Sequence, residues 1–408
     1  MIEQQKQEGS VSGSGRAHSL IGASGFSRWS KCPGSIGLQR VAESQEVAAV
    51  QGSKFAAEGT AAHEVAALCL EQGSDTWEWV GQTVHLKREQ KNWPVTAEMA
   101  EAVQLWVDTV RQDREEYAAT TGDTAVTLVE VSFDLSDIRD GAFGTSDAVT
   151  LFPHWGMMSV YDYKHGVGIG VDAERNGQLM YYAAGALHHL GANAQDIQAA
   201  ELVIVQPRHH HRYGPVRRWR TTTSELNDWV WTELVPAIDR TREPDAPLVP
   251  GDHCQFCPAR AFCPALQELA QEYFDMSDRP VQPMSDEELS EWLGKVKAVR
   301  HFLKALDDEG YHRLSQGNKV PGYKLVARRA DRVWADGAEA ELKAALGGDA
   351  YKQTLISPAQ ASKRRETKEI AKKFSYKPEN GLTMAPASDS NEGVEVKPPQ
   401  AGFQQFAR

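Results

Sequence analysis

Apolar residues recur at helical spacing over residues 54–71 (KFAAEGTAAHEVAALCLE) and again over 95–119, and each run predicts a helix with one apolar stripe. After residue 123 the period changes. TAVTLVEVSFDL (124–135), GAFGTSDAVTLF (141–152) and GMMSVYDYKHG (156–166) read as successive strands with turn residues between them. Residues 173–190 return to helical spacing, AELVIVQP (200–207) predicts a short buried strand, and helix signals resume at 223–239. The order helix, three strands, helix, strand predicts an α/β core around a mixed sheet.

The flanks differ. Residues 1–18 are polar and Gly/Ser-rich, which predicts a flexible arm; they contain no apolar segment of the secretory type. A helix over 285–315 opens with a capping-box pattern, Ser285 to Glu288. Two short strands are expected over 322–336 and helical runs near 337–346 and 364–374. From about 376 the composition turns to Pro, Ser, Asn, Glu and Gly and predicts a disordered tail. The expected division is an arm (1–18), a core domain (19–275), a mainly helical extension (280–375) and a tail (376–408). No stretch approaches the roughly 20 apolar residues of a membrane span, so no membrane partner and a cytoplasmic location are expected. The formal net charge of −12 argues against a basic nucleic-acid coat protein and is compatible with a carboxylate site for divalent cations.

Candidate chemistry is concentrated in the strands. Asp162 and Lys164, in Asp162-Tyr-Lys164, are two apart on a strand and therefore share a face. Asp147, in Gly144-Thr-Ser-Asp147, lies on the preceding strand and can join them. Two carboxylates with a backbone carbonyl, that of Tyr163, form a hard-oxygen site for Mg²⁺ or Mn²⁺, and a lysine beside it can orient water or stabilise phosphate charge. His63, on the first long helix, adds an imidazole that favours Mn²⁺. Gln178 and Tyr182 are four apart on the next helix and share its face. Glu58, Glu64 and Glu130 lie near these motifs; Glu130, on a predicted strand, could be a further ligand but reads better as an exposed strand carboxylate. An Asp-x-Lys triplet alone is weak, and it is the order of the elements that gives it weight.

The chain has five cysteines. Cys254, Cys257 and Cys263 form a C-x2-C-x5-C cluster, and Cys32 is the expected fourth ligand from far upstream. Four thiolates suit Zn²⁺ or an iron–sulfur cluster, and spacing alone does not choose between them. Cys69, in an apolar helix stripe, reads as a small core residue.

Taken in order, the helix histidine, the strand Gly-x-x-Asp, the strand Asp-x-Lys and the Gln-x-x-x-Tyr helix resemble the RecB-like nuclease module of the PD-(D/E)XK superfamily over residues 20–270. That resemblance implies a restriction-endonuclease-like core. It makes Asp147 and Asp162 metal carboxylates, Lys164 the catalytic lysine, His63 a metal ligand, and Gln178 and Tyr182 the pair that places DNA and the lysine. Asp162 stands where many relatives have Glu. One early and three late cysteines resemble the iron–sulfur staple of AddB-type helicase–nucleases and CRISPR-adaptation nucleases, which implies a [4Fe–4S] cluster. The C-terminal third resembles an uncharacterised family frequent in phages and prophages, and it implies no separate activity.

The implied activity is a Mg²⁺- or Mn²⁺-dependent deoxyribonuclease, in exonuclease form, acting on single strands or duplex ends in recombination, repair or phage DNA processing. A recombination or replication protein and a second copy of the chain are the further partners it suggests. The alternatives are a catalytically inactive DNA-binding or assembly subunit and a zinc-stabilised protein of unrelated activity. The most basic segment, Arg208 to Arg220 with His209–His211 and Trp219, is a candidate for phosphate contact and base stacking or, equally, a solvated hairpin. The Lys363–Arg365 run with Lys368, Lys372 and Lys373 reads as an exposed helix face.

Overall fold

Side-chain alternation decides how the central sheet is buried. In the computed structural model, residues 19–44, 54–86, 90–275, 284–329, 332–352, 354–362, 364–376, 378, 381–386 and 392–395 are described. The arm predicted for 1–18 and much of the predicted tail lie outside them. The chain divides into two units, Met1–Phe302 and Leu303–Arg408.

In the first unit α1 (Phe26–Trp29), α2 (Ser35–Ser44) and α3 (Lys54–Gln72) lead to a hairpin of β1 (Thr83–Leu86) and β2 (Lys91–Pro94), then α4 (Ala97–Thr121). Strands β3 (Val126–Asp134), β4 (Phe143–Phe152) and β5 (Met157–Tyr163) follow, then α5 (Gly177–Leu190), β6 (Ala199–Val205) and β7 (Val216–Thr222). The unit ends with α6 (Thr223–Trp229), a π turn, α7 (Val235–Arg240), α8 (Pro264–Asp275) and the start of α9 (Asp286–Ser315). The five strands pair in the order β3-β4-β5-β6-β7, all antiparallel except β5 with β6. A parallel pair needs a crossover, and α5 supplies it.

Strand β5 is buried along its whole length. Met158 and Val160 enter one core with Leu179, Met180 and Ala183 of α5. Tyr161 and Tyr163 enter the other, with Val65 of α3 and Trp106 and Val110 of α4. The alternation puts Asp162 on the α5 face. The ladder breaks beside it. Register runs Val129↔Ala148 and Val131↔Ser146, skipping Glu130 and Asp147, and β4–β5 pairing stops at Ala148↔Tyr161. Glu130 sits at φ +47°, a left-handed conformation that costs a residue with a Cβ roughly 1–3 kcal/mol.

The unit boundary falls later than composition predicts. Ala298, Val299 and Phe302 of α9 pack with Cys254, Cys263, Leu266 and Leu269, which draws the first part of that helix into the first unit. The second unit is less helical than expected. Its strand Tyr323–Ala327 pairs with Leu382–Pro386, and Val333–Trp334 with Ser375–Tyr376. Leu382–Pro386 falls in the predicted disordered tail; antiparallel pairing gives this apolar run a partner that composition alone does not reveal. Helices Ala338–Leu346 and Lys368–Phe374 contribute Leu342 and Ala371 to a small core with Ala350, Ile356 and Ala361. No helix among the described residues is long and apolar enough to cross a membrane.

Leu179 of α5 is fully buried in the core that α5 shares with the sheet. Leu179→Ala is expected to cost about 2–5 kcal/mol in urea unfolding, because α5 cannot collapse onto the sheet to fill the gap.

Candidate active site and cysteine cluster

Asp162 is 2% exposed. Lys164, just past the end of β5, continues the parallel ladder by donating its backbone N–H to Val205 O at 2.9 Å. This brings its Nζ 3.1 Å from Asp162 Oδ1 and 2.9 Å from Oδ2. Oδ2 is buried and, apart from that ion pair, receives no well-directed hydrogen bond. Gln178 closes the group: its Oε1 accepts from Lys164 Nζ at 3.1 Å, and its Nε2 donates to Asp162 Oδ1 at 3.0 Å and to Tyr182 Oη at 3.1 Å. Gln178 is fixed in turn by the N-cap of α5, where Asn176 Oδ1 accepts from the backbone N–H groups of Gln178 and Leu179. Gly144, of the strand motif, is where the Tyr182 ring passes; a Cβ there would lie 3.2 Å from Tyr182 Cε1.

Asp147 takes the place of the missing ladder bond. Its Oδ2 accepts the Tyr163 N–H at 2.7 Å, and its Oδ1 lies 3.2 Å from His63 Nδ1. Glu130, at the break in β3, completes a triad: one ligand atom each from His63, Glu130 and Asp147 fall within 4.8 Å of one another. An imidazole and two carboxylates at that spacing fit a divalent cation. The set differs from the expected one. Glu130 is exposed, as its sequence suggests, yet it stands among the cation-spaced groups, while Asp162 lies with the lysine. Only the backbone break brings Glu130 there, and strand alternation carries no sign of it.

The charges split the two aspartates. Burial pushes the Asp162 carboxyl up, and Asp147 adds to it against the opposing Lys164 and His63. Burial also acts on Asp147, but His63, the Tyr163 N–H and Lys164 overcome it and hold that carboxyl low. Lys164 stays protonated because Asp162 and Asp147 outweigh its burial. Burial opposes the His63 imidazolium, yet Asp147, with Glu130 and Asp162, raises it to about 9. The Glu130 carboxyl is pushed upward by crowding and by Asp147, an effect that its exposed side lets solvent screen.

Beneath the site, the Tyr163 ring packs edge-on to His63 at 5.4 Å, and its hydroxyl lies 2.8 Å from His165 Nδ1. His165 is nearly buried beside Glu58, which also holds Arg208 at 2.7 Å. Cys69 is fully buried in the α3–α4 core, as its stripe predicts.

The four expected cysteine ligands converge. Cys32 follows α1, donating its N–H to Arg28 O at 2.9 Å, and its Sγ accepts the Val249 N–H at 3.3 Å. Cys254 Sγ accepts the Gly251 N–H at 3.3 Å. Burial pushes the Cys257 and Cys263 thiols up, and the nearby Cys32 adds to the push on each. Burial pushes the Cys254 thiol up to about 11, so filling the site must displace protons. Arg28, 6% exposed, donates to Ser35 and Gln39 at 2.9 Å each and lies against Cys257 and Cys32. A buried guanidinium there offsets the negative charge that ionised thiols bring.

The basic segment is mostly occupied internally. Arg217 is buried and bonded to Val171 O, Gly214 O and Gln206. Arg218 pairs with Asp113 and Glu201, Arg220 with Glu201, and Arg208 with Glu58 and Glu98. Trp219 packs on the α5-side core. Of the acids that the arginines pair with, Glu201 is buried and Glu98 exposed, so much of the positive charge in this segment is balanced within the fold. Arg364, Arg365, Lys368, Lys372 and Lys373 are exposed, as expected, and Lys363 lies outside the described residues.

Fold and site together define the class: a mixed α/β protein with a carboxylate–lysine–imidazole group where its five-stranded sheet opens. Residues 18–392 match the family described as "Protein of unknown function (DUF2800)", and the chain belongs to that family.

In chelator, the melting temperature is expected to fall as pH rises from 6.5 through about 9, because the His63 proton is held more tightly in the folded state and its contribution is lost across that window. Thermal unfolding against pH measures this. His63→Gln should flatten the fall, and an equal fall in that variant would contradict the assignment.

Proposed function

We propose that this chain is a metal-dependent DNA nuclease of the RecB-like PD-(D/E)XK type, stapled by a [4Fe–4S] cluster. The observation that carries the reading is the meeting of Asp147, Asp162, Lys164, Gln178 and His63 from two strands and two helices at one break in the sheet. His63, Asp147, Glu130 and Asp162, with the Tyr163 carbonyl, would hold the cation. A bound Mg²⁺ or Mn²⁺ supplies a water of lowered pKa and neutralises phosphate charge. The chain's own residues do the rest. Lys164, kept cationic by two aspartates, presents its ammonium to a phosphate oxygen. Gln178 fixes that ammonium, and Tyr182 fixes Gln178. Wild-type protein with Mn²⁺ is expected to degrade labelled single-stranded DNA. Lys164→Ala and Asp162→Asn should each lower the rate about 10²-fold or more. DNA binding without Mn²⁺-dependent products in the wild type would assign the chain to a non-catalytic binding role instead.

For the cysteines, the choice of a four-iron core over zinc rests on the resemblance of one early and three late thiols to an iron–sulfur staple, and the backbone N–H groups of Val249 and Gly251 directed at sulfur suit it. Anaerobically purified protein is expected to be brown, with broad absorbance at roughly 400 nm that Cys257→Ser abolishes. A colourless protein carrying stoichiometric zinc would contradict the cluster.

A further inference from the structure

Of the five arginines from Arg208 to Arg220, four are held by partners inside the fold. Arg212 is the exception. It pairs with no carboxylate among the described residues, and its guanidinium lies 4.5 Å from the centre of the Tyr213 ring. Tyr213 is itself 65% exposed. Facing solvent from the neighbouring loop is the run Gly166-Val-Gly-Ile-Gly170, which begins two residues after Lys164. In it Val167 is 56% and Ile169 48% exposed.

The two loops are built together. They leave the C-terminal ends of the adjacent parallel strands β5 and β6, where open α/β sheets bind ligands. His209 Nδ1 lies 2.9 Å from Val167 O, and His211 Nε2 lies 3.2 Å from Asp172 Oδ1. Gln206 Nε2 donates to Gly166 O at 3.0 Å and Ile169 O at 2.7 Å, which holds both ends of the strap. Gly170 lets the His209 ring come close, since a Cβ there would lie 2.7 Å from His209 Nε2. The bonds fix the backbone while both β-branched side chains stay in water.

We infer that this two-loop rim grips the unpaired end of a nucleic-acid strand, with a base on Tyr213, a phosphate beside Arg212, and Val167 and Ile169 under the neighbouring base. The inference deepens the nuclease reading and rests on it. Apolar prongs and an exposed aromatic ring gain most from bases whose faces are uncovered. A duplex shows phosphates and groove edges instead, and one free guanidinium in this segment neutralises too few phosphates to grip it.

The test uses the full chain in Ca²⁺, with fluorescein-labelled oligothymidylate and a blunt duplex of equal length as probes, read by anisotropy. Wild type is expected to favour the single strand. Tyr213→Ala and the double variant Val167→Ser with Ile169→Ser should each weaken single-strand binding about tenfold, with melting temperature and duplex binding unchanged. Wild-type affinity in both variants, a wild-type preference for duplex, or a change in self-association in place of strand binding overturns the inference. Mn²⁺-dependent cleavage of the same oligonucleotide is followed in parallel. Rim-dependent binding without cleavage sinks only the nuclease reading. Cleavage with rim-independent binding sinks only the rim.

Discussion

A carboxylate buried on a strand that is covered on both faces is the constraint around which the first unit is arranged. Asp162 sits among Met158, Val160 and the underside of α5, where an unpaired charge would cost several kcal/mol. The Lys164 ammonium offsets that cost, and Gln178 ties both to the N-terminus of α5. Strand, crossover helix and lysine are therefore one unit. Moving α5 removes the amide that orients the lysine. Removing the lysine leaves a carboxylate that must take up a proton or water.

The second half of the site depends on a defect. A continuous β3–β4–β5 ladder would pair the backbone at Asp147 and leave its carboxylate free to point elsewhere. Because the ladder breaks there, the Asp147 side chain takes the Tyr163 N–H, and Glu130 is turned into a left-handed conformation beside His63. Local strain is offset by the surrounding sheet, and it brings together acids that pairing alone would keep apart.

Much of this was legible in the chain. Periodicity located α3, α4, the strands β3 to β6 and α5, because each buries an apolar face that its spacing records. The two-residue interval from Asp162 to Lys164 and the four-residue interval from Gln178 to Tyr182 imply shared faces from spacing alone. What periodicity did not carry is non-local. The acids Asp113, Glu58 and Glu98 that pair with the arginines come from distant elements and Glu201 from the paired strand β6, so a basic run read alone overstates free positive charge. The β1–β2 hairpin is short and interrupted by charged residues, and the strand Leu382–Pro386 needs a partner more than fifty residues earlier. Glu130 owes its place to a backbone break that no spacing encodes. The cysteines were readable as a set, but the burial that raises the Cys254 thiol is a property of the fold.

The proposed chemistry depends on one group of side chains at the break in the sheet. Anomalous diffraction from crystals soaked in Mn²⁺ tests it most directly. The account predicts a peak bonded by His63 and Asp147 on the side of Lys164, absent from Asp147→Asn crystals treated alike. Full occupancy elsewhere, such as at His209–His211, with nothing at His63 and Asp147, would contradict it.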